Sequence, residues 1–209
     1  VFSLIGPKRY DAPWKDIESQ GWIAPADCTE VRVQLTEAER MVYATAEQSE
    51  KYRLAATTPT KTKVVRKIME MHPDEPTLII GAYIDQLEEI AEELDVPVID
   101  GKTGNAKREK LYQQFRDGEL KTLVVSKVAN FSIDLPGASV AIQISGTFGS
   151  RQEEAQRLGR ILRPKPDGGG AFFYSIVARD TLDSDYAAHR QRFLAEQGYG
   201  YRIVDSFDL

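Results

Sequence analysis

The sequence is poor in the residues that cross-link small proteins or hold metal ions. Its 209 residues include one cysteine, Cys28, and two histidines, His72 and His189. A single cysteine excludes a disulfide framework within the chain and is typical of a reducing compartment. One cysteine and two histidines cannot supply the usual ligands of a zinc ion, so we predict no metal site.

Long apolar runs and a surplus of positive charge are also missing. No stretch reaches the length of a membrane span, and no basic-then-apolar leader opens the chain. We therefore expect an intracellular, non-secreted protein, in the cytoplasm or nucleoid of a prokaryote or the nucleus of a eukaryote. The formal net charge of -5 argues against a coat of positive charge but leaves room for a local basic patch. Because the first residue is Val1 and not Met, we expect a piece of something longer.

Short, continuously apolar runs recur along the chain from residue 77 onward. They are typical of strands covered on both faces, and they comprise TLII (77–80), PVI (97–99), TLVV (122–125), VAIQI (140–144) and AFFYSIV (171–177). Helical spacing is found between and after them, over 83–94, 105–117, 150–163 and about 181–197, before a last strand near 201–204. This alternation predicts a parallel sheet in an α/β layer sandwich.

The first part of the chain has a different character. Residues 1–35 lack periodicity and predict connecting polypeptide that ends in a short strand over 31–35. Thr36 followed by Glu39 is a capping box, which predicts a helix as far as about Ala56. Thr57-Thr58-Pro59 breaks this helix, and another is predicted over 61–71 on the apolar positions Val64, Ile68 and Met71.

Ligands of such folds bind beyond the carboxyl ends of the strands, so the loops that follow the strands matter most. These loops begin at Gly81, Gly101, Ser126, Ser145 and Ala178. The second loop carries Gly101-Lys102-Thr103, which matches the end of the phosphate-binding pattern G-x-x-x-x-G-K-[ST]. The first glycine of that pattern is replaced by Val96, so the backbone nest is not supported. We interpret 101–103 as a strand-to-helix turn, with a phosphate loop as the alternative.

A row of cationic side chains is found in SRQEEAQRLGRILRPK (150–165). Gln156, Arg160 and Arg163 lie at i, i+4 and i+7, which puts them on one helical face. Within the predicted helix no acidic residue lies one turn from either arginine, and guanidinium groups suit phosphate oxygens. The row therefore predicts a phosphate contact, and a solvated helix face is the alternative.

Several segments together resemble a known family. EAQRLGRILRP resembles motif VI of the superfamily 2 helicases, and SKVANFSIDLPGASVAIQIS resembles their motif V. In order along the chain, LIGPKRYDAPW, GWIAPADCTEVRV, VVSKVANFSIDLP and GSRQEEAQRLGRILRPK are similar to the XPB family of DNA helicases. The resemblance covers nearly the whole chain. It implies a RecA-like three-layer sandwich with a mainly parallel central sheet, in an ATP-dependent 3′–5′ DNA helicase or translocase acting in nucleotide excision repair.

The resemblance further implies that this is half of a motor. Such helicases hold ATP with Mg²⁺ between two lobes, of which the first brings the phosphate loop and a D-E-x-H motif. This sequence has neither motif. It therefore resembles the second lobe, inactive and without ATP by itself. Residues 1–35 would be the end of the first lobe, the linker and an entry strand, and 36–209 the second lobe with a short helical insertion near 36–60.

Roles at the ATP site follow from the same resemblance. Arg160 and Arg163 match the arginines that reach the γ-phosphate, and Gln156 would position nucleotide or attacking water. Asp134 would hold the ribose of ATP or make an inter-lobe contact, and Arg157 would also contact ATP. For Asp134, an Asx-type turn before Leu135-Pro136-Gly137 is an equal alternative.

DNA contacts are implied for other loops. Ser126 and Lys127 match the motif V residues that contact a DNA phosphate, and Tyr83, Lys102 and Thr103 lie at neighbouring loop ends. Lys107, Arg108 and Lys110 would extend this contact or form a solvated helix face. Because these are contacts to the DNA backbone, we expect weak, salt-sensitive binding from this piece alone.

The implied partners are DNA, the first lobe, and a repair nuclease or transcription-factor subunits, with no membrane. Two alternatives stay open. One is the second lobe of a different superfamily 2 motor, a chromatin remodeller or an RNA helicase, although DEAD-box RNA helicases favour histidine at the position of Gln156. The other is a non-catalytic α/β module, in which the arginine row is only a charged face.

Overall fold

The computed structural model describes residues 26–126, 138–146, 171–196 and 200–209. Strands and helices alternate through most of these parts, as the sequence predicts. The elements are β1 (Ala26–Val33), α1 (Glu37–Thr45), α2 (Gln48–Ala56), α3 (Thr60–Met71), β2 (Thr77–Gly81), α4 (Ile84–Leu94), β3 (Val98–Ile99), α5 (Asn105–Arg116), β4 (Thr122–Ser126), β5 (Val140–Gln143), β6 (Ala171–Ala178), α6 (Leu182–Glu196) and β7 (Tyr201–Asp205).

The seven strands of the described parts form one sheet in the order β3-β4-β2-β5-β6-β1-β7. Every pair of neighbouring strands is parallel. In the centre, Ile79 of β2 lies opposite Val124 of β4 and Ile142 of β5. The predicted parallel sheet is therefore confirmed.

The central strands bury both of their faces, because their residues alternate between two hydrophobic cores. On one face Ile80 packs in the same core as Phe115 of α5. On the other face Ile79 shares a core with Val65 of α3 and Leu87 of α4. The sheet is thus the middle of three layers, and each fully buried aliphatic side chain contributes about 1.5–3 kcal/mol to folding.

Strand β1 differs from its prediction, because it begins at Ala26 and ends at Val33, not at residue 35. Its first part was missed because it is interrupted by polar residues, of which Thr29 and Glu30 are nevertheless buried. The Glu30 carboxylate accepts hydrogen bonds from Arg32 Nε and from the Tyr201 hydroxyl, both at 2.8 Å. These partners offset the cost of burying a charge, so a polar residue occupies a strand interior.

The single helix predicted from Thr36 to about Ala56 is wrong. The capping box at Thr36 and Glu39 is present, but α1 ends at Thr45 and α2 starts at Gln48. Ala46 and Glu47 have extended backbones, and the Thr45 hydroxyl donates to carbonyls within α1, as Ser and Thr do where a helix bends. The break lets α2 bury part of its surface, whereas α1 buries none of its side chains.

The helix faces otherwise follow the pattern of the sequence, with one exception. Leu87, Ile90 and Ala91 of α4 are buried as predicted, and so are Val64 and Ile68 of α3. Met71, predicted on the same face, is 48% exposed because α3 ends there and the chain turns away. None of the helices in the described ranges is both long and apolar enough to cross a membrane.

Candidate functional site

The loops that the sequence singles out lie together at one edge of the sheet. Since all described strands are parallel, the loops after Gly81, Ile99, Ser126, Gln143 and Ala178 leave the same side. We call this side the carboxyl edge. It is where α/β sheets bind their ligands.

At the carboxyl edge, Gly101-Lys102-Thr103 forms a turn between β3 and α5 that is organised by Asp100. The Asp100 carboxylate accepts the backbone N–H of Lys102 at 3.0 Å and that of Thr103 at 2.8 Å. It also accepts the Thr103 hydroxyl at 2.7 Å. This hydroxyl bond, followed by the backbone bonds, lowers the pKa of Asp100. A carboxylate therefore occupies the amide donors that a phosphate loop would offer, so the turn does not fit a triphosphate and the strand-to-helix interpretation is confirmed.

Arg108 completes this turn from the first half of α5. Its Nη2 donates to the carbonyls of Asp100 at 3.2 Å and Thr103 at 3.1 Å. This structural role was missed by the sequence analysis, which considered Arg108 only as a DNA contact or a solvated charge. Lys102 is exposed on the turn, as are Lys107 and Lys110 on α5, and Thr103 is half-buried. A flexible cation on a fixed turn can contact a phosphate from solvent.

Tyr83 precedes α4 at the same edge and is half-buried. Its ring centroid lies 6.3 Å from that of Tyr52, and the Arg53 guanidinium carbon lies 5.5 Å from the Tyr83 centroid. Burial raises the pKa of the Tyr83 hydroxyl, while the charge of Arg53 opposes the rise. The Tyr83 hydroxyl is therefore neutral near pH 7 and can donate or accept a hydrogen bond, and the Arg53 guanidinium lies beside its ring.

Of the two residues predicted in motif V to contact DNA, one lies in the described ranges. Ser126 is the last residue of β4 and is 2% exposed. Lys127 lies outside the described residues, so the shared contact of these two side chains with a phosphate stays a prediction.

A buried ion pair behind the carboxyl edge was missed by the sequence analysis. Lys61 of α3 donates from Nζ to the Asp183 carboxylate at 2.7 Å and to the Ile144 carbonyl at 2.7 Å. The exposed fractions of the two side chains are 0% and 1%. Asp183 also accepts the Ala178 N–H at 2.9 Å. The signal was available, because Lys61 lies three residues before Val64 and seven before Ile68, on the apolar face of α3, whereas Lys63 does not; only its counter-ion in α6 could not be read from the residue pattern.

Two further hydrogen bonds secure the chain after β5. The Tyr52 hydroxyl donates to the Gly146 carbonyl at 2.7 Å, and Ser145 Oγ accepts the Ala82 N–H at 2.8 Å. The Tyr52 ring also meets Tyr186 of α6 edge-on, with centroids 4.9 Å apart. Helices α2 and α3 thus each bond to residues 144–146, and α6 contacts both of the side chains that do so.

The residues that the resemblance assigns to ATP lie outside the described residues: Asp134, Gln156, Arg157, Arg160 and Arg163. Their roles remain predictions, and so does the division of the chain at residue 36. Within the described ranges, no group of three or more His, Cys, Asp or Glu side chains is arranged to hold a metal ion.

Solved structures with the same fold include DEAD-box proteins. The C-terminal domain of the DEAD-box protein Dbp5 aligns with a TM-score of 0.64, covering 90% of this chain and 93% of that domain at 14% sequence identity. A DEAD box protein from the hyperthermophile Methanococcus jannaschii aligns with a TM-score of 0.56 at 14% identity, over 90% of this chain and 43% of that one. At such identities the likeness concerns the fold alone, and it confirms the RecA-like three-layer sandwich.

Sequence relatives are much closer. A Mycobacterium tuberculosis protein named DNA 3'-5' helicase XPB is 72% identical over the whole chain, which spans 38% of that protein's length. A Drosophila melanogaster protein, general transcription and DNA repair factor IIH helicase/translocase subunit XPB, is 38% identical over 96% of this chain and 26% of its own length. The family profile described as ERCC3/RAD25/XPB C-terminal helicase matches residues 17–208. The chain therefore belongs to the ERCC3/RAD25/XPB C-terminal helicase family, as its motifs predict.

Proposed function

We propose that this chain is the second lobe of an ATP-dependent 3′–5′ DNA helicase or translocase that acts in DNA repair. The observation that carries the proposal is the 72% identity, over all 209 residues, with a protein named DNA 3'-5' helicase XPB. Because the chain spans 38% of that relative, there is room outside it for a first lobe with the phosphate loop and D-E-x-H motif that this sequence lacks. On this proposal the chain alone does not hydrolyse ATP.

On the ATP side, the chain contributes arginines and not a phosphate cradle. ATP with Mg²⁺, held mainly by the first lobe, would supply the phosphoryl group whose transfer to water drives the motor. Arg160 and Arg163 would direct guanidinium forks at the phosphate, Gln156 would orient nucleotide or water, and Asp134 and Arg157 would contact the nucleotide. An arginine of this kind contributes about 10³- to 10⁵-fold to turnover. The filled donors of the turn at 101–103 support this division of labour between the lobes.

On the DNA side, the carboxyl edge would contact the sugar-phosphate backbone. Lys102 stands exposed on a turn that Asp100 and Arg108 hold in one conformation, with Thr103 beside it. Tyr83, Ser126 and Lys127 would contribute from the neighbouring strand ends. Contacts of this type give binding that depends on salt and hardly on base sequence. ATP-driven closure of the two lobes would alternate the grip of this edge on DNA.

The proposed partners are DNA, the first lobe of the same protein, and a repair nuclease or transcription-factor subunits. The Drosophila relative is named as a subunit of general transcription and DNA repair factor IIH, which supports a protein assembly. We also propose an intracellular location, because DNA repair takes place where the cell keeps its DNA.

ATP turnover measured with duplex DNA tests the proposal. The 209-residue chain and the full-length protein that contains it are compared, each also as Arg160→Ala. A matched control is Arg66→Ala, which removes an exposed arginine of α3 whose partner is Glu93. We expect hydrolysis by the full-length protein alone, loss of about 10³-fold in Arg160→Ala, and little change in Arg66→Ala, since exposed ion pairs contribute about 0–1 kcal/mol.

Three results would contradict the proposal in different ways. Hydrolysis by the 209-residue chain would show that it holds a complete ATP site. Full turnover in Arg160→Ala, together with a lower melting temperature, would make that arginine structural. A full-length protein without DNA-stimulated hydrolysis would favour the non-catalytic module.

A further inference from the structure

The turn between β3 and α5 is held by a single oxygen atom of Asp100. Oδ1 of this carboxylate accepts the N–H of Lys102 at 3.0 Å and that of Thr103 at 2.8 Å. The same oxygen accepts the Thr103 hydroxyl at 2.7 Å, and the hydroxyl in turn accepts the Asp100 N–H at 3.0 Å. These bonds join the two ends of the turn, with Lys102 between them.

The Thr103 hydroxyl has no hydrogen to offer a phosphate. A threonine hydroxyl has one O–H donor, and here it is donated to Asp100. The phosphate oxygens of DNA are acceptors, so they need a donor from the protein. Among the side chains of residues 100–103, the exposed Lys102 is therefore the one that can bind a phosphate, through its charged ammonium group.

Asp100 is an acidic residue beside a proposed contact with an anion, and by its charge alone it opposes binding. We propose that Asp100 and Thr103 are positioning residues, which hold the backbone of Lys102 for a DNA phosphate and do not contact the phosphate themselves. The inference rests on the proposed function, because it concerns the DNA contact at the carboxyl edge. A turn that is ordered in advance need not be ordered on binding, and ordering the backbone of one residue lowers an affinity about 5- to 30-fold.

Two substitutions of Asp100 separate its charge from its positioning. Asp100→Asn and Asp100→Ala remove the same negative charge, but asparagine keeps a carbonyl oxygen that can accept the bonds now made to Oδ1, whereas alanine keeps no acceptor. In both variants Arg108 Nη2 can still donate to the backbone carbonyls of residues 100 and 103, so the turn is loosened and not unfolded. A difference in DNA affinity between the two variants therefore measures positioning.

The test measures the Kd of the full-length protein for a fluorescently labelled DNA duplex of mixed sequence, at fixed salt and without nucleotide. We expect Asp100→Ala to bind about 5-fold or more weakly than Asp100→Asn. An effect of charge alone would make both variants bind equally, and more tightly than the wild type. Lys102→Ala should also weaken binding and flatten the slope of log K against log salt by about 0.9, which corresponds to one lost phosphate contact.

The same substitutions in a Lys102→Ala background show whether Asp100 and Thr103 act through Lys102. Without the ammonium group there is nothing to position, so we expect Asp100→Ala and Asp100→Asn to bind equally there. Thr103→Val, which removes the hydroxyl and keeps a branched side chain, should weaken binding in the wild type but not in the Lys102→Ala background. A direct contact of the Thr103 hydroxyl with phosphate would weaken binding in both.

Hydrogen–deuterium exchange without DNA gives a readout that does not depend on binding. Backbone amides in a peptide covering 101–104 should exchange faster in Asp100→Ala than in Asp100→Asn, and equal exchange would show that Oδ1 does not order the turn.

The outcomes separate this inference from the proposed function. If Lys102→Ala weakens binding but the two Asp100 variants have equal Kd values, or if their difference persists without Lys102, only the positioning inference is overturned. If Lys102→Ala binds DNA as the wild type does, the contact of this turn with DNA fails, and the positioning inference with it. A full-length protein that binds no DNA would overturn the proposed function itself.

Discussion

Replacing Lys61 by methionine should destabilise the fold far more than the same substitution at an exposed lysine. Lys61 and Asp183 have exposed fractions of 0% and 1%, and their charged atoms are 2.7 Å apart. Methionine has nearly the same length, so packing changes little. It leaves the Asp183 carboxylate buried with the Ala178 N–H but without its counter-ion. Breaking a buried pair from one side costs about 3–5 kcal/mol. A chain of this size has a stability of about 10–30 kcal/mol by the per-residue rule, and single domains usually fall at or below 15.

Urea denaturation of the 209-residue chain, followed by far-ultraviolet circular dichroism, measures this cost as a fall in midpoint at constant slope. A double-mutant cycle adds Asp183→Asn and the combination of both changes. The combined variant has no buried charge. We therefore expect its loss of stability to be smaller than the sum of the two single losses by at least about 2 kcal/mol. Lys63→Met, at the exposed position two residues away, is the matched control and should cost less than about 0.5 kcal/mol.

Two results would refute this reasoning. A loss below about 1 kcal/mol in Lys61→Met would mean that water or another group replaces the ammonium, so the pair is not isolated from solvent. Additive single losses would mean that each residue contributes through separate contacts, with no coupling between the charges.

Two more predictions concern a close approach of the backbone and a titrating side chain. Gly81→Ala should cost about 1–3 kcal/mol in urea denaturation, because a Cβ would meet three atoms at 2.9–3.0 Å, in Leu87, Ile144 and Ser145. Gly104→Ala, with open space around it, should cost under about 1 kcal/mol. Equal losses in the two variants would contradict this prediction. Burial lowers the pKa of His72, against the opposing charge of Glu75, so its contribution is complete above about pH 6.5 and is lost as pH falls from there through the lower pKa of the folded state. The melting temperature should therefore fall less between about pH 7.5 and 5.5 in His72→Gln than in the wild type, and parallel curves would exclude the effect.

Much of the sheet was predictable because its central strands bury both faces. A short, continuous apolar run such as 77–80, in alternation with helical segments, is typical of a strand between two layers of helices. The loops at the carboxyl edge followed from this assignment, since parallel strands place their ends together. Family motifs added what periodicity does not contain, namely the roles assigned to Arg160 and Arg163.

The parts that escaped prediction depend on partners distant in sequence. No local signal ends a helix at Thr45, because the break serves the burial of Tyr52 and Ala55 against other elements. In the same way, the partners of two buried charged residues could not be predicted: Glu30 accepts from Tyr201 of β7 in addition to Arg32 of its own strand, and Lys61 on the apolar face of α3 is paired with Asp183 of α6. Residue patterns report the average environment of a segment and do not report such pairings.

In the Gly101-Lys102-Thr103 turn, the state of the backbone N–H groups decides whether the motif can bind a phosphate. A phosphate loop works because backbone N–H groups are unpaired until an anion arrives. Here the anion belongs to the chain, since the Asp100 carboxylate already accepts the N–H groups of Lys102 and Thr103. A phosphate would have to displace a carboxylate that also accepts the Thr103 hydroxyl, the bond that contributes most to lowering the pKa of Asp100. The Lys102 side chain is left exposed to solvent, so this turn offers a phosphate one flexible cation and no unpaired backbone nest.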